Sequence, residues 1–338
     1  MAKGTARTFS YRAGVRIRDS VLACDATGGS DLIFVSHAEL IDGNADDANH
    51  SRRLPRARAG RRKILTTDAT LALSGPAGER LRPHTLVAAY GRPFNLGDMR
   101  LELFRSGYGP GAASLLCEQA GRRLVYSGPV GTVAPEARVA DALCLDGTFG
   151  SPRFAFPAIE HALALVVAFV TERLGAGHAP VVLAHTRGEL LACAVALAHA
   201  GVALRAHRTV TAAADSYRAA GIAGPLLARF AGRLAPGEAL LWPAGARDAP
   251  ALRRLAAPAF VLASGAAADP AVVESARVDA AVPLSTMADF AGLLRYVEET
   301  GAREVAVLHA GGAELCQTLR ARGIDAYPLG PPEQISLF

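Results

Sequence analysis

The sequence predicts an α/β protein on three observations. The first 150 residues break into short β-branched or apolar runs bounded by Gly, Pro or Asp. From residue 157 the apolar spacing lengthens to that of helices, and after residue 258 strand-like runs return between helices. A hydrophobic content of 51% over 338 residues supplies enough core for one large domain or two medium ones. The early strands are expected at 21–24, 31–36, 63–67, 99–104, 113–117, 123–127 and 142–145, each too short for a helix and each flanked by turn-forming residues. Helices are expected at 158–174, 187–200, 211–219 and 224–234, with strands at 181–184 and 239–242 between them. Strands at 259–263 and 304–308 then alternate with helices at 287–300 and 312–322, ahead of a Pro-Pro tail. No internal repeat is visible.

The apolar runs fall short of the roughly 18 residues that span a bilayer, which excludes a membrane-spanning helix and a membrane partner. The first residues carry no apolar core resembling a signal peptide. A cytoplasmic protein is therefore expected, with reduced thiols at Cys24, Cys117, Cys144, Cys193 and Cys316. Their odd number and wide spacing suggest neither a disulfide framework nor a zinc knuckle. The net charge of +5 is local, since residues 1–63 hold 12 Lys+Arg against 7 Asp+Glu and the remainder holds 24 of each. Most of the surplus is Arg52, Arg53, Arg56, Arg58, Arg61, Arg62 and Lys63, set around a Pro and a Gly that discourage a helix. Such a loop can follow a phosphate backbone with salt-sensitive affinity. Because 34 of the 36 basic residues are Arg, the same run also reads as a solvated loop of an arginine-preferring composition.

Three segments invite chemical readings. Val35-Ser-His-Ala-Glu-Leu-Ile-Asp42, at a strand end, offers His37, Glu39 and Asp42 to a hydrolytic metal. Ser106-Gly-Tyr-Gly-Pro-Gly111 has alternating glycines but neither a Gly-Lys-Ser/Thr ending nor the dinucleotide spacing, so a tight turn is the better reading. Tyr126-Ser-Gly-Pro129 closes a strand with a Pro where a metal site would want an Asp.

In this order the segments resemble the metallo-β-lactamase-fold proteins of the β-CASP nuclease branch, in particular the bacterial ligase-associated DNA exonucleases. The resemblance runs from about residue 8 to 330. Val35 to Asp42 stands where that family has His-x-His-x-Asp-His, and Ser106-Gly-Tyr-Gly-Pro-Gly-Ala-Ala113 resembles Ala-Gly-His-x-x-Gly-Ser-Ala. Gly121-Arg-Arg-Leu-Val-Tyr-Ser-Gly-Pro129 resembles Gly-Arg-Arg-x-Val-x-Ser-Gly-Asp, and Leu145-Asp-Gly-Thr-Phe-Gly150 resembles Glu-x-Thr-Phe/Tyr-Gly. Ser285-Thr-Met-Ala-Asp-Phe290 is similar to Ser-Asp-His-Ala-Asp-Trp, and Val307-Leu-His-Ala-Gly311 to Val-Thr-His-Gly. The resemblance implies a four-layer αββα sandwich built from residues 1–150 and 259–330, a β-CASP-like α/β insert at 151–258, and an extended tail at 331–338.

The departures decide the chemistry the resemblance implies. Of the metal-ligand positions, His37 and His309 keep imidazoles and Asp146 keeps a carboxylate. The others read Glu39, Ile41, Asp42, Tyr108, Pro129 and Met287. Two hydrolytic cations need a bridging carboxylate and several imidazoles, whereas Ile and Pro offer no donor and a thioether suits such metals poorly. A vestigial, catalytically silent site without cofactor is expected, its imidazoles hydrogen-bonded at strand ends and its cavity packed by apolar substitutions. The alternative is a rebuilt site holding one zinc or manganese through His37, Glu39, Asp42 and His309, in an active nuclease or other hydrolase. In the insert, Ala184-His-Thr-Arg-Gly-Glu-Leu-Leu191 resembles the family's Ala-x-x-x-Gly-Lys-x-Gln. Glu189 in place of Lys is expected to oppose a polyanion there, Arg187 offsetting part of this, with His185 an ordinary surface or capping histidine.

The last five residues, Gln334, Ile335, Ser336, Leu337 and Phe338, resemble the bacterial sliding-clamp-binding pentapeptide Gln-Leu-Ser/Asp-Leu-Phe. Leu337 and Phe338 can each bury roughly 1.5 to 3 kcal/mol in an apolar pocket, and Gly330-Pro-Pro332 keeps the tail extended. A terminal strand tucked onto its own domain is the other reading. The expectation is therefore a silent exonuclease relative in bacterial DNA repair or replication, nucleoid-associated and recruited to the clamp. DNA and other repair proteins, an active nuclease paralogue among them, are its further expected partners.

Overall fold

In the computed structural model, residues 7–28, 30–42, 63–309 and 311–331 are described, and they form three sheets. The first joins β1 (Phe9–Tyr11), β2 (Val15–Ile17), β3 (Leu22–Cys24), β4 (Leu32–Phe34), β5 (Lys63–Thr66) and β6 (Thr85–Val87) in chain order. It is antiparallel as far as β3 and parallel from there. The second begins with β7 (Phe94–Leu96), β8 (Met99–Arg105), β9 (Ala113–Gln119), β10 (Arg122–Tyr126) and β11 (Ala142–Asp146). The third, wholly parallel, is built from β12 (Ala179–Ala184), β13 (Ala203–Ala206), β14 (Ala228–Arg229), β15 (Glu238–Pro243), β16 (Pro258–Ala263) and β17 (Ala280–Val282), in the order β14-β13-β15-β12-β16-β17. The chain then returns to the second sheet, adding β18 (Glu304–Leu308) beside β11 and β19 (Asp325–Leu329) at the edge.

Packing makes layers of these sheets. Phe9, Phe34 and Leu65 of the first sheet share one buried core with Leu103, Leu115 and Tyr126 of the second, so the two lie face to face. Outside the first, Ile33 and Ile64 meet Leu40 of α1 (Glu39–Asp42), with Leu81 of a helix that follows α2 (Asp68–Leu73), α3 (Pro76–Leu81), packed against them. In the third sheet, Val182, Leu241 and Val261 pack against α4 (Ile159–Gly175), α5 (Arg187–His199) and α6 (Arg208–Ala219). Their neighbours Leu183, Leu240 and Leu262 face the opposite way, toward α7 (Pro250–Arg253) and α8 (Pro270–Ala276). A sheet covered on both faces buries its central strands beyond their first residues, which is why β12 and, after Glu238, β15 read as continuous apolar runs. Outside the second sheet, Leu116, Val125 and Leu143 pack against Leu293 and Tyr296 of α9 (Phe290–Thr300) and Leu315 of α10 (Gly312–Ala321).

The α/β class and most expected elements match. The expected helix at 224–234 does not form. Gly224 and Pro225 open that segment and Gly232 sits at φ +100°, so the chain runs irregularly past the two-residue edge strand β14. The strand expected at 259–263 pairs with β12 rather than with the second sheet, so the third sheet extends past residue 258 to Val282. The helix expected from 287 starts at Phe290, where the Asp289 carboxylate caps the Gly292 amide, and it ends at Gly301 with φ +63°. Lys63 opens β5 with its side chain exposed. The cations Arg52, Arg53, Arg56, Arg58, Arg61 and Arg62, and the pentapeptide Gln334 to Phe338, lie outside the described residues.

Candidate functional site

The ends of β4 and β10 meet at one rim. Gly128, at φ +57°, lies so close to Ser36 that a Cβ there would stand 2.8 Å from the Ser36 Cβ. Only glycine satisfies both the left-handed backbone and that approach. Beneath it, the Asp25 carboxylate accepts from the Ser36 amide at 2.8 Å, from the Ser36 hydroxyl at 2.5 Å and from the Tyr126 hydroxyl at 2.8 Å. Burial nonetheless pushes the Asp25 carboxyl above the usual carboxylate range, against the nearby His37 and these hydrogen bonds. With the Ser36 hydrogen on Asp25, the His37 Nδ1–H donates to the Ser36 oxygen at 2.8 Å, which fixes the tautomer of a nearly buried imidazole. Asp25 went unremarked in the sequence, though an acid directly after the apolar run 22–24 was the available signal.

The sequence-selected positions divide into three groups here. The Tyr108 and His37 rings meet nearly at right angles, centroids 5.3 Å apart, and the Tyr108 hydroxyl donates to Glu39 at 3.0 Å. Glu39 also faces Arg187 of α5 at 3.8 Å, both side chains being largely buried. Met287 is buried with Phe149 and Phe154, with Tyr108 and Phe156 packed against them. The Phe149 ring lies 5.0 Å from that of Phe154 and 4.9 Å from that of Phe156. Phe149 reaches the third sheet's side of the cleft, where Gly265 leaves room for its ring. In the third group, the buried Asp146 accepts from the Thr148 amide at 2.9 Å and hydroxyl at 2.6 Å and lies 3.6 Å from Nε2 of His309, itself at φ +68°. Pro129 is buried just beyond Gly128, Ile41 packs on the outer face of the first sheet, and Asp42 closes α1.

These donors do not suit a dinuclear centre. Two of the candidate positions, Tyr108 and Glu39, are hydrogen-bonded to one another, a third is a thioether among phenyl rings, and a guanidinium faces the carboxylate. Among the described residues no three His, Cys, Asp or Glu side chains gather as a metal set would. The five cysteines are buried free thiols. No helix among the described residues is long and apolar enough to cross a membrane.

The insert corrects two expectations. Glu189 does not present its charge to the cleft. It turns back to form a capping box with Thr186, accepting from the Thr186 amide at 3.0 Å, from Gly265 N at 3.2 Å and from the Ser264 hydroxyl at 3.3 Å. Burial raises its carboxyl to about 7. His185 is not an ordinary surface histidine either: its Nδ1 bonds Ser264 at 2.9 Å, and burial lowers its basicity. Both partners come from a strand end some 75 residues further along the chain, which no local pattern reveals.

No protein-family model matches this chain. A protein of Opitutus terrae described as a probable DNA ligase is 29% identical to it over 198 residues, which is 59% of this chain. The chain spans only 20% of that relative's length.

Proposed function

We propose that this chain is a catalytically silent relative of the β-CASP nucleases, acting in DNA processing as an accessory recruited to the sliding clamp. The Tyr108–Glu39 hydrogen bond carries this reading, because two side chains at positions aligned with metal ligands spend their polar atoms on each other. Arg187 beside Glu39 adds a fixed positive charge next to a carboxylate that a metal cation would have to use. The two face-to-face sheets flanked by helices, with an α/β unit between β11 and β18, support the metallo-β-lactamase-like reading. The similarity to a protein described as a probable DNA ligase supports the DNA context. Recruitment rests on Gln334, Ile335, Ser336, Leu337 and Phe338, and contact with DNA on the arginine-rich run.

Two measurements test this. Metal analysis of the purified protein, with nuclease assays in Mn²⁺ and Zn²⁺, is expected to find substoichiometric metal and no activity. Stoichiometric metal lost together with activity in His37→Ala would instead establish the rebuilt single-metal enzyme. Capture by the clamp is expected for the wild type and not for a Leu337→Ala, Phe338→Ala double variant, and equal recovery of the two removes the recruitment.

A further inference from the structure

The third sheet carries a crevice that the reading above does not use. Its crossovers leave adjacent strands in opposite directions: β12 runs through α5 to β13 on one side, and β15 through α7 to β16 on the other. Where crossovers part in this way, the loops after the strands splay and leave a crevice outside their carboxyl ends, the usual ligand position in open parallel sheets. A cavity of about 370 Å³ lies there, lined by Leu183 and His185 of the β12 end, Leu262 of β16, the 244–248 loop after β15, and α7 and α8. That volume is at the small end of ligand sites.

The polar lining is cationic. Arg247, Arg253 and Arg277 converge on the cavity with His185, against the single carboxylate of Asp248. The Arg247 guanidinium is held in place, stacked 3.5 Å over the Phe260 ring and donating from Nη2 to the Arg277 carbonyl at 3.2 Å. Its Nε–H is buried without a hydrogen-bond partner, a cost a native fold rarely leaves unmet. Asp248 stands 3.8 Å from Arg277, both largely exposed, so this ion pair is a weak competitor for the guanidinium. With the Ser264 hydrogen on Glu189, His185 Nδ1–H donates to the Ser264 oxygen, so the other nitrogen of the neutral ring is an acceptor and recognition of an anion falls to the guanidiniums. Planar guanidinium forks match the oxygens of a dianionic phosphate better than those of a single carboxylate.

We propose that this crevice binds a phosphomonoester group. The shared chemistry admits two sources, a free mononucleotide and the phosphorylated end of a DNA strand, and the volume alone does not choose between them. Calorimetric titration of the full chain with inorganic phosphate, a nucleoside 5′-monophosphate, the parent nucleoside, and one short oligonucleotide with a 5′-phosphate or a 5′-hydroxyl distinguishes them. Binding of phosphate and the monophosphate, absent for the nucleoside, and tighter binding of the oligonucleotide with a 5′-phosphate than with a 5′-hydroxyl, are the expected results. A gain from the 5′-phosphate of the oligonucleotide, over its 5′-hydroxyl form, that exceeds the gain of the monophosphate over the nucleoside identifies the chain end, and the reverse identifies the free ligand. Arg253 and Arg277 are exposed, so Arg253→Gln and Arg277→Gln preserve the fold, and each is expected to weaken binding at least about tenfold. Arg247→Lys, which keeps the charge but loses the fork, is expected to weaken it too. The proposal fails if nucleoside and monophosphate bind alike, if no phosphorylated probe binds at millimolar concentration, or if the Arg253→Gln, Arg277→Gln double variant binds as the wild type does.

Discussion

Replacing Glu189 by glutamine isolates the cost of burying a carboxylate at the start of α5. The group titrates at about 7 in the folded protein against an ordinary 4.5. A raised acid favours the protonated fold, so its stabilising effect is fully present below 4.5 and is lost as pH rises through 7. Between pH 5 and pH 8 the wild type should lose about 2.5 kcal/mol from this group alone. Glutamine does not titrate, and every other group is common to both proteins, so their contributions cancel in the difference. The variant carries its own pH-independent penalty, because the side-chain amide replaces one of the acceptors that serve Thr186, Ser264 and Gly265. A lost acceptor in this setting costs about 1 to 3 kcal/mol. Urea denaturation of both proteins at the two pH values should therefore find the variant less stable at pH 5, with most of the gap closed or reversed at pH 8. Parallel stability curves across that range would refute the reasoning, because they would mean that the Glu189 carboxyl titrates as it does in water.

Two further outcomes follow from the rim. Gly128→Ala forces a Cβ to within 2.8 Å of the Ser36 Cβ and strains a left-handed residue, so thermal unfolding should report a loss of at least about 1 kcal/mol, with the metal content unchanged. Asp25→Asn sets an amide among the donors of Ser36 and Tyr126, and is expected to destabilise by about 1 to 3 kcal/mol and to broaden the NMR signals of His37, whose tautomer Ser36 no longer holds. Unchanged stability in Asp25→Asn would show that Ser36 and His37 are held by something else.

Between β3 and β11 the strands other than β6 and β7 were legible because each is a short apolar run between turn residues, and such runs declare themselves locally. The segment 224–234 misled because its leucines and phenylalanine suggest a helix, while Leu227 in fact packs into the core beside an edge strand of only two residues. Strands β1, β2, β6, β7 and β17 were missed, since three residues carry too little pattern to separate from a loop, and β13, β14 and β19 at or next to the sheet edges were missed too. At the rim, the sequence identified His37, Tyr108, Met287 and Asp146 but gave no means of pairing them.

Sequence alone determined the inventory: which positions carry donors, which carry Ile, Pro or Met, where the basic residues concentrate, and where apolar periodicity demands a buried face. These are properties of single residues and near neighbours. Tertiary structure alone decided that Tyr108 meets Glu39 across 69 residues, that Glu189 is buried against Gly265 rather than facing a polyanion, and that Arg247, Arg253 and Arg277 line one crevice with His185. The reason is physical: desolvation and pairing depend on separation in space, and in a layered α/β fold the strand ends that share a rim come from distant parts of the chain.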